Sequence, residues 1–177
     1  MAMGAGTMEI RCYPDRVLRK RCRPVRTIDD EFLARAHRML DFMYVADGIG
    51  LAGPQVGWTD QIITLDVDLR HDGKRIFVNP RIIHRDGTLE AEEGCLSLPG
   101  IRIKVPRAGR VAVVAYTLAG ERLELEAEGL AAVAWQHELD HLNGLLIIDR
   151  VAPTTLMSIR DQLRQLELGE MGGNTTE

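Results

Sequence analysis

The sequence lacks four things, and each narrows what the chain can be. No apolar run approaches the roughly 20 residues that span a bilayer. The N-terminus, Met1 to Met8, has neither the basic region nor the long apolar stretch of a secretory signal. The three cysteines, Cys12, Cys22 and Cys95, are an odd number without paired spacing, so no disulfide framework is expected and a reducing cytoplasm is. A basic surplus is also missing: 22 Lys and Arg stand against 26 Asp and Glu, a net charge of −4. That leaves no overall electrostatic footprint for nucleic acid, though a local basic patch remains compatible with it. With no repeat and no interdomain linker, the 177 residues predict one domain, flexible at 1–8 and 169–177.

The residue pattern predicts an α+β protein. Residues 9–26, rich in arginine, are expected to run extended over the surface. Thr27, Asp29 and Asp30 offer N-cap oxygens for a first helix, with Phe32, Leu33, Ala36, Met39, Leu40, Met43 and Tyr44 at helical spacing and Asp47-Gly48 at its end. Gly48 to Gly57 is half Gly and Pro, a loop in which main chain can approach a ligand closely. It has no Gly-Lys-Ser/Thr, which argues against a nucleotide loop. Residues 61–69 alternate as a half-buried strand, His71 to Lys74 form a turn, and Ile76-Phe77-Val78 begins the next strand. A hairpin is expected through Asp86-Gly87, a loop over Glu92 to Gly100, and two or three strands over 101–127. His37, His71 and His84 read as surface or packed residues.

Gly129 to Leu142 then has helical spacing and is apolar nearly all round at its start, the mark of a helix in the core. Leu145 to Ile148 is a short apolar strand or connection. A last helix is expected after Pro153, capped by Thr154 or Thr155, with Leu156, Ile159, Leu163 and Leu166 as its stripe. The sum is short antiparallel sheets around a buried central helix, plus an N-terminal and a C-terminal helix.

That central helix carries His137-Glu138-Leu139-Asp140-His141. Four residues apart, both imidazoles lie on one helix face and can grip one ion, with Glu138 beside it as candidate general base. A reactive site of this kind keeps three protein ligands and one open position. Cys95, in a Gly-containing stretch outside any periodic core pattern, is the best candidate for the third; the alternative is a buried structural cysteine. Cys12 and Cys22 read as structural. Asp140 needs a cationic partner if buried, Arg102 or Arg107; otherwise it is a solvated helix carboxylate.

Three stretches resemble, in order and approximate spacing, the signature motifs of the peptide deformylases: Gly48-Ile49-Gly50-Leu51-Ala52-Gly53-Pro54-Gln55, Glu93-Gly94-Cys95-Leu96-Ser97 and Gln136-His137-Glu138-Leu139-Asp140-His141. Flanking pieces such as Tyr13-Pro14-Asp15 and Val105-Pro106-Arg107-Ala108 extend the likeness over roughly residues 9–168. The resemblance implies a cytoplasmic enzyme that hydrolyses the N-formyl group from the initiator methionine of nascent chains and releases formate. It implies Cys95, His137 and His141 as ligands of one divalent ion, iron(II) natively, with zinc or nickel able to substitute. A metal-bound water would attack the formyl carbon with Glu138 as base and then acid. The Gln55 amide and the Leu96 main-chain N–H would stabilise the oxyanion.

The loops holding Gly50 and Gly94 would pair with the peptide backbone. Ile49, Leu130, Val133, Ala134 and the His137 ring would line the methionine pocket. N-formylmethionyl peptides and nascent chains are the implied partners, with no membrane and no direct nucleic-acid site.

The chain departs from the family pattern twice. Gly53 stands where the family usually has Ala, which predicts a looser loop aiming Gln55. The tail from Gly169 to Glu177 is short and acidic, which places ribosome docking through it in doubt and leaves Arg160 and Arg164 as the remaining contributors. Two rival readings stay open. An ordinary zinc protease would recruit a later ligand, but no His follows His141 and only Glu167 and Glu170 are available. A structural metal in a binding module would normally be closed by four ligands.

Overall fold

The computed structural model describes residues 7–67 and 75–169. The turn expected at His71 to Lys74, the strand beyond 67, and residues 1–6 and 170–177 of the termini lie outside those residues. Helix α1 spans Asp30–Val45. Its N-cap is Asp29, whose side chain accepts from the Phe32 N–H at 2.8 Å and so satisfies one of the helix's free first-turn donors.

Seven strands follow: β1 Gly50–Ala52, β2 Ile62–Leu65, β3 Ile76–Asp86, β4 Leu89–Cys95, β5 Leu98–Arg107, β6 Arg110–Tyr116 and β7 Arg122–Glu128. Helix α2 is Gly129–Leu142, followed by a 3-10 turn Ile147–Arg150 and two short helices, α3 Pro153–Ser158 and α4 Arg160–Glu167. The strands form a five-stranded antiparallel sheet, β1-β2-β3-β6-β7, and a separate two-stranded ribbon, β4-β5. The architecture is thus α+β, with antiparallel sheets around α2.

The sheet wraps α2, which touches every strand in it. Ala132, Trp135 and their neighbours on α2 pack on Ile63, Phe77, Val113 and Ala115, with the Phe77 and Trp135 rings 4.7 Å apart. Helix α1 covers the other side of β1 and β2. This is why β2 differs from the half-buried strand its alternation predicts: all four residues are buried, Thr64 included. Thr64 Oγ1 is accommodated by the Leu51 carbonyl at 3.4 Å.

Four further expectations need correcting. There is no hairpin through Asp86-Gly87: β3 stays paired with β6 up to Asp86↔Arg110, and after Gly87 the chain crosses into the second sheet, where β4 pairs with β5. The last helix breaks at Ile159 into α3 and α4. Its first residue is Pro153 after Ala152, and neither Thr154 nor Thr155 caps it. Residues 9–26 are not simply draped on the surface, since Leu18 and Cys22 are buried. The stretch around Cys95 is not a loop but the end of β4.

Candidate metal centre and active site

Strand alternation brings the first group of side chains inward. Along β4, Leu89, Ala91, Glu93 and Cys95 are more buried than Glu90, Glu92 and Gly94. The β4–β5 register shifts between Gly94↔Arg102 and Cys95↔Leu98. Such a bulge re-aims the side chain beside it, and here that side chain is Cys95. The turn Leu96-Ser97 follows directly.

Helix α2 supplies the facing groups. His141 Nε2 lies 3.3 Å from Cys95 Sγ and 3.2 Å from His137 Nε2. The Cys95, His137 and His141 donor atoms all fall within 4.8 Å of one another, forming a site consistent with one divalent ion. One thiolate and two imidazoles are donors that iron(II), zinc and nickel all accept. Ring orientation is set from behind: His137 Nδ1 is 2.8 Å from Glu93 Oε2, which turns Nε2 toward the cluster.

Electrostatics follow the geometry. Burial alone would depress the basicity of His137, but Cys95, Glu93 and Glu138 outweigh it and hold the ring well above its ordinary range. The surrounding anions thus favour positive charge at this spot. His141 goes the other way, pushed well down by burial and by His137, Arg107 and Arg19.

Glu138 is 4% exposed, and its Oε2 has no hydrogen-bond partner among the described residues. Burial pushes its carboxyl up to about 7, against the pull of His137 and Arg107. A buried carboxylate oxygen without a protein partner, beside three donors, leaves room for a polar reactant. Space for Glu138 comes from Gly50, where an added Cβ would stand 2.4 Å from Glu138 Oε1.

Gln55 enters from the 3-10 turn Gly53–Val56. The Ala52 N–H donates to its Oε1 at 2.8 Å. That bond assigns the amide orientation and leaves Nε2 facing Cys95 Sγ at 3.7 Å and Ser97 Oγ at 3.4 Å. At Gly53, where a looser turn is expected, the space for a side chain is already filled. Gly53 is buried, and an added Cβ would meet the Trp58 carbonyl oxygen at 2.4 Å and that of Asp60 at 3.0 Å. The backbone has closed onto the missing methyl. Gly53→Ala is therefore expected to lower stability by ~1–3 kcal/mol, the usual range for overpacking a dense interior. A thermal melt beside the parent chain checks it, and an unchanged or higher Tm would refute the close packing.

Behind the ligands lies a buried ion-pair chain. Arg107 Nε and one terminal nitrogen bond Glu93 at 2.6 and 3.0 Å, and its other terminal nitrogen reaches Asp140 at 2.6 Å. Asp140 is also gripped by Arg150, Nε at 3.0 Å. Burial would raise Asp140, but Arg150 and Arg107 outweigh it and hold the carboxyl below its usual value. Of the two arginines offered for Asp140, only Arg107 reaches it. Arg102 is an odd number of residues away on β5 and so faces outward, its side chain 67% exposed and 3.8 Å from Glu92. Sequence reasoning assigns no role to Glu93, Ser97 or Arg150. For Glu93 a signal was present, since Leu89-x-Ala91-x-Glu93-x-Cys95 puts it on the Cys95 face.

The site opens into a cleft of about 630 Å³ lined by Ile49, Gly50, Gly94, Leu130, Val133 and Ala134 among others. Leu130 is 64% and Ile49 49% exposed. Two large apolar side chains left in water at one cleft mark a surface that an apolar ligand group can cover. Of the two residues available to a protease-like site, Glu167 instead accepts from the Tyr13 hydroxyl at 2.6 Å, and Glu170 lies outside the described residues.

Residues 7–156 match the family model described as Polypeptide deformylase. This chain belongs to the peptide deformylase family. The peptide deformylase of Chromobacterium violaceum is 42% identical over 159 residues, 90% of this chain and 95% of that protein. Among solved structures, an Arabidopsis thaliana peptide deformylase in complex with an inhibitor superposes with a TM-score of 0.85 at 38% identity, covering 92% of this chain and 91% of that one. One from Legionella pneumophila gives 0.82 at 38% identity, covering 94% and 98%. No described helix is long and apolar enough to cross a membrane.

Proposed function

We propose that in this metal-dependent peptide deformylase residues 1–177 form one metallohydrolase domain, in which Glu138 moves the proton, Gln55 and Leu96 hold the oxyanion, and iron(II) is the ion used in the cell. Zinc and nickel can substitute. The substrates are N-formylmethionyl peptides and nascent chains, which places the enzyme in the cytoplasm where they are made. The observation that carries this reading is Glu138, buried with an oxygen free beside the three-donor cluster.

A divalent ion held by Cys95, His137 and His141 supplies Lewis acidity when bound, polarising a carbonyl and making a water more acidic. Glu138 takes the proton of the attacking water and delivers it to the leaving amine nitrogen as the C–N bond breaks, so that formate and a free N-terminus result. Gln55 Nε2, aimed by the Ala52 N–H bond, and the Leu96 N–H donate to the oxygen as it gains charge. The peptide backbone runs between β1 at Gly50 and the end of β4 at Gly94 as an added strand, sequence-tolerant recognition. Ile49, Leu130, Val133, Ala134 and the His137 ring cover the methionine side chain. Any transient ribosome contact by the last helix falls to Arg160 and Arg164, both exposed on α4.

Anaerobic metal analysis paired with formate release from a formyl-Met peptide tests the proposal. The expected result is about one ion per chain and turnover only of the formylated peptide; cleavage inside an unformylated peptide would overturn it. Gln55→Glu, which replaces the donor by an acceptor, is expected to reduce kcat by ~10²–10³, the scale for losing one oxyanion donor. A KM that rises alone, with kcat intact, would remove Gln55 from that role.

A further inference from the structure

On the far side of α2 from the metal cluster lies a second cleft, of about 1000 Å³, between α2 and the ends of β3 and β5. Its cationic lining is all arginine. Arg107 and Arg150 are engaged by Glu93 and Asp140. Arg21, Arg81 and Arg85 line the same cleft, are exposed, and form no ion pair among the described residues. Asp86 is the one exposed carboxylate among the lining residues. In a chain of net charge −4, this is a local concentration of unneutralised positive charge.

We infer that this cleft binds the phosphodiester backbone of a single RNA strand. Guanidinium, planar and weakly hydrated, pairs with phosphate through two parallel N–H donors. Arg81 and Arg85 stand opposite Val114 and Val111 of β6, three positions apart because β3 bulges between Ile82 and His84, so their backbones are about 10 Å apart at the usual strand rise and their side chains reach the cleft from opposite faces of the strand. That arrangement suits a line of phosphates better than one small anion. Tyr116, 36% exposed at the cleft, offers a ring on which a base can stack. The choice of RNA over DNA rests on the proposed function, because an enzyme of newly made chains works where RNA is translated.

The test uses the full metal-loaded chain and a short fluorescent oligouridylate, with binding followed by anisotropy. Three phosphate contacts predict that log Kd rises with log salt at a slope of about 2, taking ~0.7 per contact for single strands. Arg81→Glu with Arg85→Glu is expected to weaken binding by at least about tenfold and to bring the slope below about one. Arg160→Glu with Arg164→Glu on α4 leaves binding unchanged if the cleft is the site. Turnover of a formyl-Met tripeptide without RNA stays at the parent rate in both variants, so a failure of the proposed activity is read separately. Absence of binding at roughly 100 µM protein in low salt would overturn the inference. So would binding indifferent to the Arg81 and Arg85 reversals, or equal affinity for an oligoglutamate peptide.

Discussion

Replacing Glu138 by alanine is expected to lower formate release by ~10²–10⁴, the usual contribution of a positioned general acid–base, while metal content stays at the parent level. The geometry separates these two effects. Glu138 stands beside the cluster but is not among its three donors, and its Oε2 meets no protein donor. Removing it deletes a proton carrier and leaves Cys95, His137 and His141 as they were. Glu138→Gln keeps the shape and removes only the basicity, so it is expected to be as inactive as the alanine variant. If the glutamine variant retained near-parent turnover, or if alanine emptied the site of metal, the assigned role would fail. A chain using its metal only for structure would have no turnover to lose.

Arg107→Met is expected to be the most destabilising single change outside the metal ligands. The Arg107 side chain is 3% exposed and holds Glu93 and Asp140, which are 5% and 9% exposed. Breaking a buried ion pair by removing one partner costs ~3–5 kcal/mol, because the other charge stays buried and uncompensated. Here two carboxylates share the lost partner, although Arg150 still holds Asp140. For a chain of this length the loss corresponds to a Tm lower by roughly 6–20 °C. Metal affinity is expected to fall as well, since Glu93 orients His137, and such outer partners are worth ~10–100-fold in affinity. Thermal melts and metal competition check the two effects. Adding Glu93→Gln to Arg107→Met should recover part of the Tm, because the stranded charge is gone. A double variant less stable than the single one would contradict this account.

The sequence by itself determined what depends on local periodicity. The bounds of α2 are legible because Gly129 and Asn143-Gly144 frame a run whose apolar residues surround the helix, and the i, i+4 spacing alone puts His137 and His141 on one face. The antiparallel strands of β6 and β7 are legible for the same reason. Three motifs in family order named Cys95 and Gln55 as well.

Only the tertiary structure decided which distant groups meet. That β2 is covered on both faces, and that β3 and β4 part company at Gly87, depends on where α1 and the second sheet pack, which no window of residues encodes. The choice of Arg107 over Arg102 is a matter of strand parity, readable only once the β5 register is known. The tightness at Gly53 is set by the Trp58 and Asp60 carbonyls arriving from the following loop, so a residue that suggested slackness turns out to mark close contact. The grouping of Arg21, Arg81 and Arg85 along one cleft likewise comes from chain segments far apart in sequence. Local chemistry chose the reacting groups; long-range packing chose their partners, because ion pairs and steric contacts act through space, not along the chain.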